Sequence, residues 1–137
     1  MSVLFGQEHV DRYRATDGEE GHIWREDSTI LLLTTTGRRT GNETTTPLIY
    51  DLDGVGNPVI VASKGGAPED PGWYRNLTKD PDVELQVWDE VFPARAHDAE
   101  GEERDRLWQL AAKQWPDYDE YVKRTDREIP VVVLEPR

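Results

Sequence analysis

The sequence predicts a mainly β, α+β fold: a small antiparallel barrel of about six strands with short helices on its periphery. Three observations support it. Apolar and β-branched runs of strand length lie at residues 29–36, 44–52, 58–62 and 129–134. The run Val83-Glu84-Leu85-Gln86-Val87-Trp88 alternates apolar and polar side chains, as a strand with one buried face does. Helical periodicity is confined to short stretches at the start, in the middle and near the end. A closed sheet accommodates this order of elements and removes exposed strand edges.

Each element follows from local chemistry. Residues 3–14 read as a short amphipathic helix with Val3, Phe5, Val10 and Tyr13 as its apolar set. The polar loop Thr16-Asp17-Gly18-Glu19-Glu20-Gly21 breaks it. Strands over 29–36 and 44–52 are joined by residues 37–43, a loop of hairpin length. Asp53-Gly54-Val55-Gly56-Asn57 turns tightly into a buried-looking strand over 58–62, which Ser63-Lys64-Gly65-Gly66 ends. Residues 71–79 read as a helix: Pro71 suits its first turn and Asp80-Pro81 stops it. The strand from Val83 turns at Asp89-Glu90 into a partner over 91–96. Residues 100–114 are helical, with Leu107, Leu110 and Ala111 on the inner face. A second short helix spans 117–124, and 129–134 is the last strand. Residues 1–28 thus read as a helix-and-loop extension to a barrel over 29–137, the whole being one domain.

Composition narrows the functional classes. A chain of 137 residues is long enough for one core and one pocket. It carries 28 Asp and Glu against 16 Lys and Arg, a net charge of -12, which repels a phosphate backbone and argues against nucleic acid as a partner. There is no cysteine, so disulfides, thiolate nucleophiles and Cys-based metal sites are excluded. His9, His22 and His97 are far apart and lack the spacing of a zinc site, so no metal is expected. The first residues have no basic region ahead of an apolar core, unlike a signal peptide. No apolar run approaches the roughly 20 residues that span a bilayer. A cytoplasmic protein, at most loosely associated with a membrane, is expected.

Against this acidic background, Gly37-Arg38-Arg39-Thr40-Gly41 concentrates positive charge at a hairpin tip. Arg presents a planar fork of donors that holds phosphate or carboxylate bidentately. Thr40, Thr44, Thr45 and Thr46 add hydroxyls, and the glycines let backbone N–H groups approach an anion. The competing reading is an exposed turn whose arginines serve only solubility. Ala62-Ser63-Lys64-Gly65-Gly66 ends a strand with a hydroxyl, a cation and free backbone donors, although the spacing is not that of a Walker loop. In Pro71-Gly72-Trp73-Tyr74-Arg75-Asn76, the aromatics could wall a flat ligand, or Trp73 could simply pack in the core. Trp115, Tyr118 and Tyr121 are spaced as an aromatic lip or as ordinary helix packing. No serine nucleophile elbow appears. A site rich in anion holders and aromatics but poor in assignable acid and base groups fits a cofactor enzyme.

These same segments carry a resemblance. Residues 31–41, Pro47-Leu48-Ile49-Tyr50, residues 59–66, Pro71-Gly72-Trp73-Tyr74-Arg75-Asn76, Pro81 with Val83, and residues 129–136 resemble, in order and register, the deazaflavin-dependent nitroreductase family. Members of that family are split β-barrel oxidoreductases that use coenzyme F420. The resemblance implies that Arg38, Arg39 and Thr40 hold the cofactor's anionic tail. It places Thr44, Thr45, Thr46, Pro47, Leu48 and Ile49 beside the ribityl chain and ring. Ala62, Ser63, Lys64 and Gly65 would contact the deazaflavin edge and phosphate, and Gly72, Trp73, Tyr74, Arg75 and Asn76 would pack near the ring. Tyr118 and Tyr121 match positions that line the substrate side. Position 39 is Arg where relatives often carry Lys, Thr44 replaces a common basic residue, and Trp115 stands where some nitroreductases place a tyrosine.

The implied activity is hydride transfer from reduced F420 to an electron-poor small molecule: a quinone, an enone or a nitroaromatic. Ser63, Tyr118 and Tyr121 are the candidate catalytic residues, as hydrogen-bond donors to the developing anion. Two alternatives remain at this level: an FMN-binding split-barrel oxidase or reductase, and a non-catalytic deazaflavin-binding module. Monomer and homodimer are both compatible with the fold.

Overall fold

Leu31 and Leu33 point into one apolar cluster while Ile30 and Leu32 point into another. A strand so buried on both faces has to lie inside the molecule, and it organises the rest. The computed structural model describes Leu4 and residues 6–137. Among these, the strands are β1 (Ile30–Thr36), β2 (Glu43–Ile49), β3 (Asp51–Leu52), β4 (Pro58–Val61), β5 (Asp82–Val87), β6 (Glu90–Asp98) and β7 (Val131–Pro136). The helices are α1 (Gly6–Ala15), α2 (Gly72–Lys79), α3 (Gly101–Gln114) and α4 (Asp117–Val122).

The strands form one antiparallel sheet in the order β2-β1-β5-β6-β7-β4-β3. Its two edge strands, β2 and β3, are consecutive in the chain and separated only by Tyr50. The sheet must therefore curl until its edges meet at that residue, which makes a split barrel. Inside lie Leu31, Leu33, Ile60, Leu85, Val132 and Leu134, all essentially inaccessible. The outer faces are covered by helices. Val10 and Tyr13 of α1 pack on Ile30 and Leu32. Leu107 of α3 packs on Val59, Val131 and Val133, and Ala111 and Tyr118 pack on Val61 and Ile129.

The sequence expectation of one strand over 44–52 is corrected at Tyr50. Its N–H donates to the Thr29 carbonyl at 3.1 Å, and its own carbonyl accepts from Gln114 Nε2 at 2.9 Å and Thr29 Oγ1 at 3.0 Å. These partners take the place of ladder partners, so the run splits and the strand count becomes seven among the described residues. Other boundaries move by one to three residues. Trp88 leaves the strand for the turn, with φ +56, and stacks on His22 at 3.9 Å between ring centroids. The last strand starts later, at Val131, and runs to Pro136. Val10 and Tyr13 are buried as the amphipathic reading of α1 requires, whereas Val3 and Phe5 lie outside the described residues.

Candidate active site

Where β2 leaves the arginine tip, its consecutive residues Thr46, Pro47, Leu48 and Ile49 form one wall of a cavity of about 480 Å³. Ser63, Lys64 and Gly65 from the loop after β4 form a second wall. Pro71, Gly72 and Trp73 at the start of α2 form a third. Trp115, Tyr118 and Tyr121 close it from the α3–α4 corner, and Gly6, His9, Trp24 and Ile30 close it from the N-terminal side. The aromatics brace one another. Trp115 stacks on Trp24 at 5.8 Å, Tyr118 meets Tyr121 edge-on at 6.1 Å, and Trp115 Nε1 donates to the Tyr121 hydroxyl at 3.3 Å. Such a slot suits a flat, largely apolar ring. Trp73 meets both expectations: it belongs to the barrel core and lines the slot.

The Ser63 loop is held in an unusual conformation. Lys64, Gly65 and Gly66 have φ of +46, +63 and +83. A Cβ at Gly66 would stand 2.7 Å from the Tyr121 carbonyl, so the loop is seated on α4 by the lack of a side chain there. One residue clamps its length: Arg127 donates to the carbonyls of Ala67 (2.9 Å), Ala62 (3.2 Å) and Ser63 (2.8 Å), and pairs with Asp70 at 2.9 Å. A Cβ at Gly65 or Gly72 would meet nothing within 4 Å, so both glycines leave room for a ligand to approach the backbone. Lys64 is engaged by Glu69 at 2.9 Å in an exposed pair, which an incoming anion can displace at small cost.

Next to the slot lies a cleft of about 510 Å³ lined by Arg38, Arg39, Lys79, Thr40 and Asp80, with Thr36, Gly37 and Gly41. It gathers three cations against one carboxylate in a chain of net charge -12. The turn is preset by Gly37 N–H donating to the Asn42 carbonyl at 2.7 Å and by Gly41 at φ +76. Arg38 joins the two spaces. Its guanidinium donates to Asn76 Oδ1 at 2.9 Å and to the carbonyl of Gly72, a slot residue, at 3.4 Å. Asn76 is buried and fixed in turn by donating to Thr35 Oγ1 at 3.1 Å. Lys79 donates to the Arg38 carbonyl at 2.9 Å, while Arg39 has no side-chain partner among the described residues. A slot for a flat ring that opens on a seat for an anionic tail fits the shape and charge of F420.

Most residues singled out in the sequence line one of these two spaces; six do not. Thr44 is exposed on β2, and Thr45 Oγ1 is shared between Thr34 and Arg14. Ala62 is wholly buried. Tyr74 turns its hydroxyl to Asp98 at 2.6 Å, Arg75 lines neither space, and Asn76 positions Arg38 from behind. The sequence reading did not pick out His9, Trp24, Lys79, Gln114 or Arg127. Only Lys79 had a usable signal, as a cation one helical turn after Arg75.

Tyr118 is almost fully buried, yet its hydroxyl has no hydrogen-bond partner among the described residues. Burial, with smaller contributions from Asp51 and Tyr121, pushes its hydroxyl well above the ordinary tyrosine range. It therefore stays protonated and can only donate to an anion. Asp51, partly buried behind it, is raised from 3.8 to about 6 by desolvation, which a hydrogen bond from Gln114 Nε2 at 2.9 Å only partly offsets. The folded protein holds that proton to higher pH than the unfolded chain, so this stability is lost as pH rises from 3.8 through about 6. Asp51→Asn keeps an acceptor for Gln114 and removes the ionisation. After allowance for solvent, it should be more stable than wild type by roughly 1–2 kcal/mol at neutral pH and equal to it near pH 4. Urea denaturation at both pH values checks this; a gap that does not change with pH would refute the assignment.

A curled antiparallel sheet with a ring slot and an adjoining anion cleft has the architecture of split-barrel, F420-dependent reductases. A family model described as F420H(2)-dependent quinone reductase matches residues 5–136. The chain is 44% identical over 132 residues to the F420H(2)-dependent quinone reductase Rv1261c of Mycobacterium tuberculosis, covering 94% of this chain and 88% of that one. A solved structure described as an F420-H2 dependent reductase (FDR-A) superposes with a TM-score of 0.70 at 44% identity, covering 77% of this chain and 93% of that one. Another, described as a domain-swapped dimer, superposes at 0.74 and 40% identity, covering 93% and 92%. This chain belongs to the F420H(2)-dependent quinone reductase family.

Proposed function

We propose that this protein reduces a quinone with a hydride from coenzyme F420, and that enones and nitroaromatics can serve as further acceptors. The observation that carries this reading is the continuity of aromatic slot and cationic cleft through Arg38, supported by the family to which the chain belongs. When bound, the reduced deazaflavin supplies the hydride; the protein supplies seats, donors and exclusion of water. Arg38 and Arg39, with Thr40 and Lys79, would hold the anionic tail. Thr46, Pro47, Leu48 and Ile49 would flank the ring and its chain, with Ser63, Lys64, Gly65, Gly72 and Trp73 around it. Thr44, Thr45, Ala62, Tyr74, Arg75 and Asn76 would support these from outside the cavity. Ser63 and Tyr118 would hydrogen-bond the oxyanion that develops on the acceptor, and Tyr121 would hold Trp115 against it.

Residues 1–28 enter this reading as an extension that completes the acceptor end through Gly6, His9 and Trp24. Among the described residues no helix is long and apolar enough to cross a membrane. A cytoplasmic protein, at most loosely membrane-associated, and a monomer or homodimer are part of the proposal; the domain-swapped relative supports the dimer.

Titration with oxidised F420 and with FMN tests cofactor choice. Trp73 and Trp115 line the slot, so their fluorescence reports binding. F420 should quench it saturably and bind more tightly than FMN. Tighter binding of FMN would favour the flavin alternative.

A further inference from the structure

His9 is an acceptor-side residue that the motifs of the sequence did not reveal. It is only 2% exposed, yet it lines the slot. Its Nε2 lies 2.8 Å from the Gly21 carbonyl. A carbonyl can only accept, so Nε2 carries a hydrogen in either charge state. The ring is fixed from the same side, because a Cβ at Gly21 would stand 3.0 Å from His9 Cδ2 and 3.1 Å from Nε2. The contacts with Gly21 occupy the Nε2–Cδ2 edge and leave the Cε1–Nδ1 edge free of them, and no hydrogen bond to Nδ1 is found among the described residues. When the ring is neutral, Nδ1 offers a lone pair; it can donate only as the imidazolium. His9 sits with Ile30 and Ile49, which pair at the end of the β1–β2 ladder opposite the arginine tip. That is the acceptor end of the slot.

We propose that the His9 imidazolium donates a hydrogen bond, and then its proton, from Nδ1 to an oxygen of the quinone. This rests on the quinone reductase reading above. Hydride addition gives the quinone both electrons and one hydrogen, leaving a hydroquinone monoanion. The His9 Nδ1–H bond breaks and an O–H bond forms, giving neutral hydroquinone and neutral imidazole, which solvent reprotonates. Other titratable groups surround the ring. Lys64, Tyr118 and Tyr121 share its cavity. Glu8, Asp11 and Arg12 lie exposed on its own helix, Glu19, Glu20 and His22 on the loop that carries Gly21, and Arg25 beside Trp24. None of these is hydrogen-bonded to the His9 ring.

The test uses the protein saturated with oxidised F420 and titrated with menadione, a pair that cannot turn over. The ring-nitrogen NMR signals of His9, His22 and His97 and the indole signals of Trp24 and Trp115 are followed, with assignments made from His9→Gln. Menadione should move the His9 Nδ1 signal and the two indoles while leaving His97 unchanged. Indole shifts without a His9 shift would overturn the role of His9 and leave the quinone reading standing. No shift at either would overturn both. In turnover, His9→Gln keeps an amide able to bond Gly21 but has nothing that ionises. It should lower kcat roughly 10–100-fold with little change in F420 affinity; kcat of the unaltered protein is expected to fall as rising pH removes the imidazolium, and His9→Gln should flatten that fall. His9→Asn, which returns a neutral donor near the Nδ1 position, should restore part of kcat but not the pH dependence. A pH profile in His9→Gln identical to that of wild type would refute the proposal.

Discussion

Arg38→Glu combined with Arg39→Glu should weaken binding of F420 by on the order of 10²–10⁴-fold and binding of FMN much less. In the proposed binding mode each arginine would supply a charge-assisted hydrogen bond of about 1.5–3 kcal/mol, and reversal would add repulsion. The F420 tail bears carboxylates beyond the phosphate shared with FMN, so a tip that holds the tail would discriminate between the two. Arg38 also has structural partners in Asn76 and Gly72, whereas Arg39 has none among the described residues. Arg39→Glu alone therefore separates ligand binding from folding, and an unchanged Tm is expected for it. Fluorescence titration of both cofactors checks the double variant. Equal losses for F420 and FMN would mean that the tip does not read the tail.

Gly72→Leu should lower F420 affinity by on the order of 10²-fold while leaving the protein as stable or slightly more so. Gly72 starts α2 at the edge of the slot, and a Cβ there meets nothing within 4 Å, so a larger side chain would fill the ring's space. A ring denied about 100–150 Å² of apolar burial loses roughly 2.5–4 kcal/mol. Within a helix, Leu is favoured over Gly by about 0.5–1 kcal/mol. Its φ lies outside the left-handed region, so no strain opposes the change. Lost binding with a Tm equal to or above that of wild type is a signature misfolding cannot imitate. Retained F420 affinity would show that the ring lies elsewhere.

What could be read from the sequence was what is local. The arginine tip, the Ser63-Lys64-Gly65 loop, the Pro71-Gly72-Trp73 helix start and the tyrosine pair are contiguous motifs, and all line the two spaces. The break at Tyr50 could not be read, because strand propensity runs unbroken across it; it is imposed by Thr29 and Gln114 from distant parts of the chain. Arg127 orders a loop about 60 residues before it and His9 is fixed by the Gly21 carbonyl, relations that leave no mark on spacing. Thr44, Thr45 and Tyr74 adjoin lining residues in the sequence but line neither space, and Thr45 and Tyr74 direct their hydroxyls to Thr34, Arg14 and Asp98.

The most direct measurement is anaerobic rapid mixing of the protein loaded with reduced F420 against menadione, following the return of oxidised-deazaflavin absorbance. Saturable reoxidation over many turnovers, much faster than without protein, is the expected result. Tight binding of F420 with no reoxidation by menadione or by any of a panel of quinones and enones would contradict it, and would make this slot a carrier's seat, not an active site.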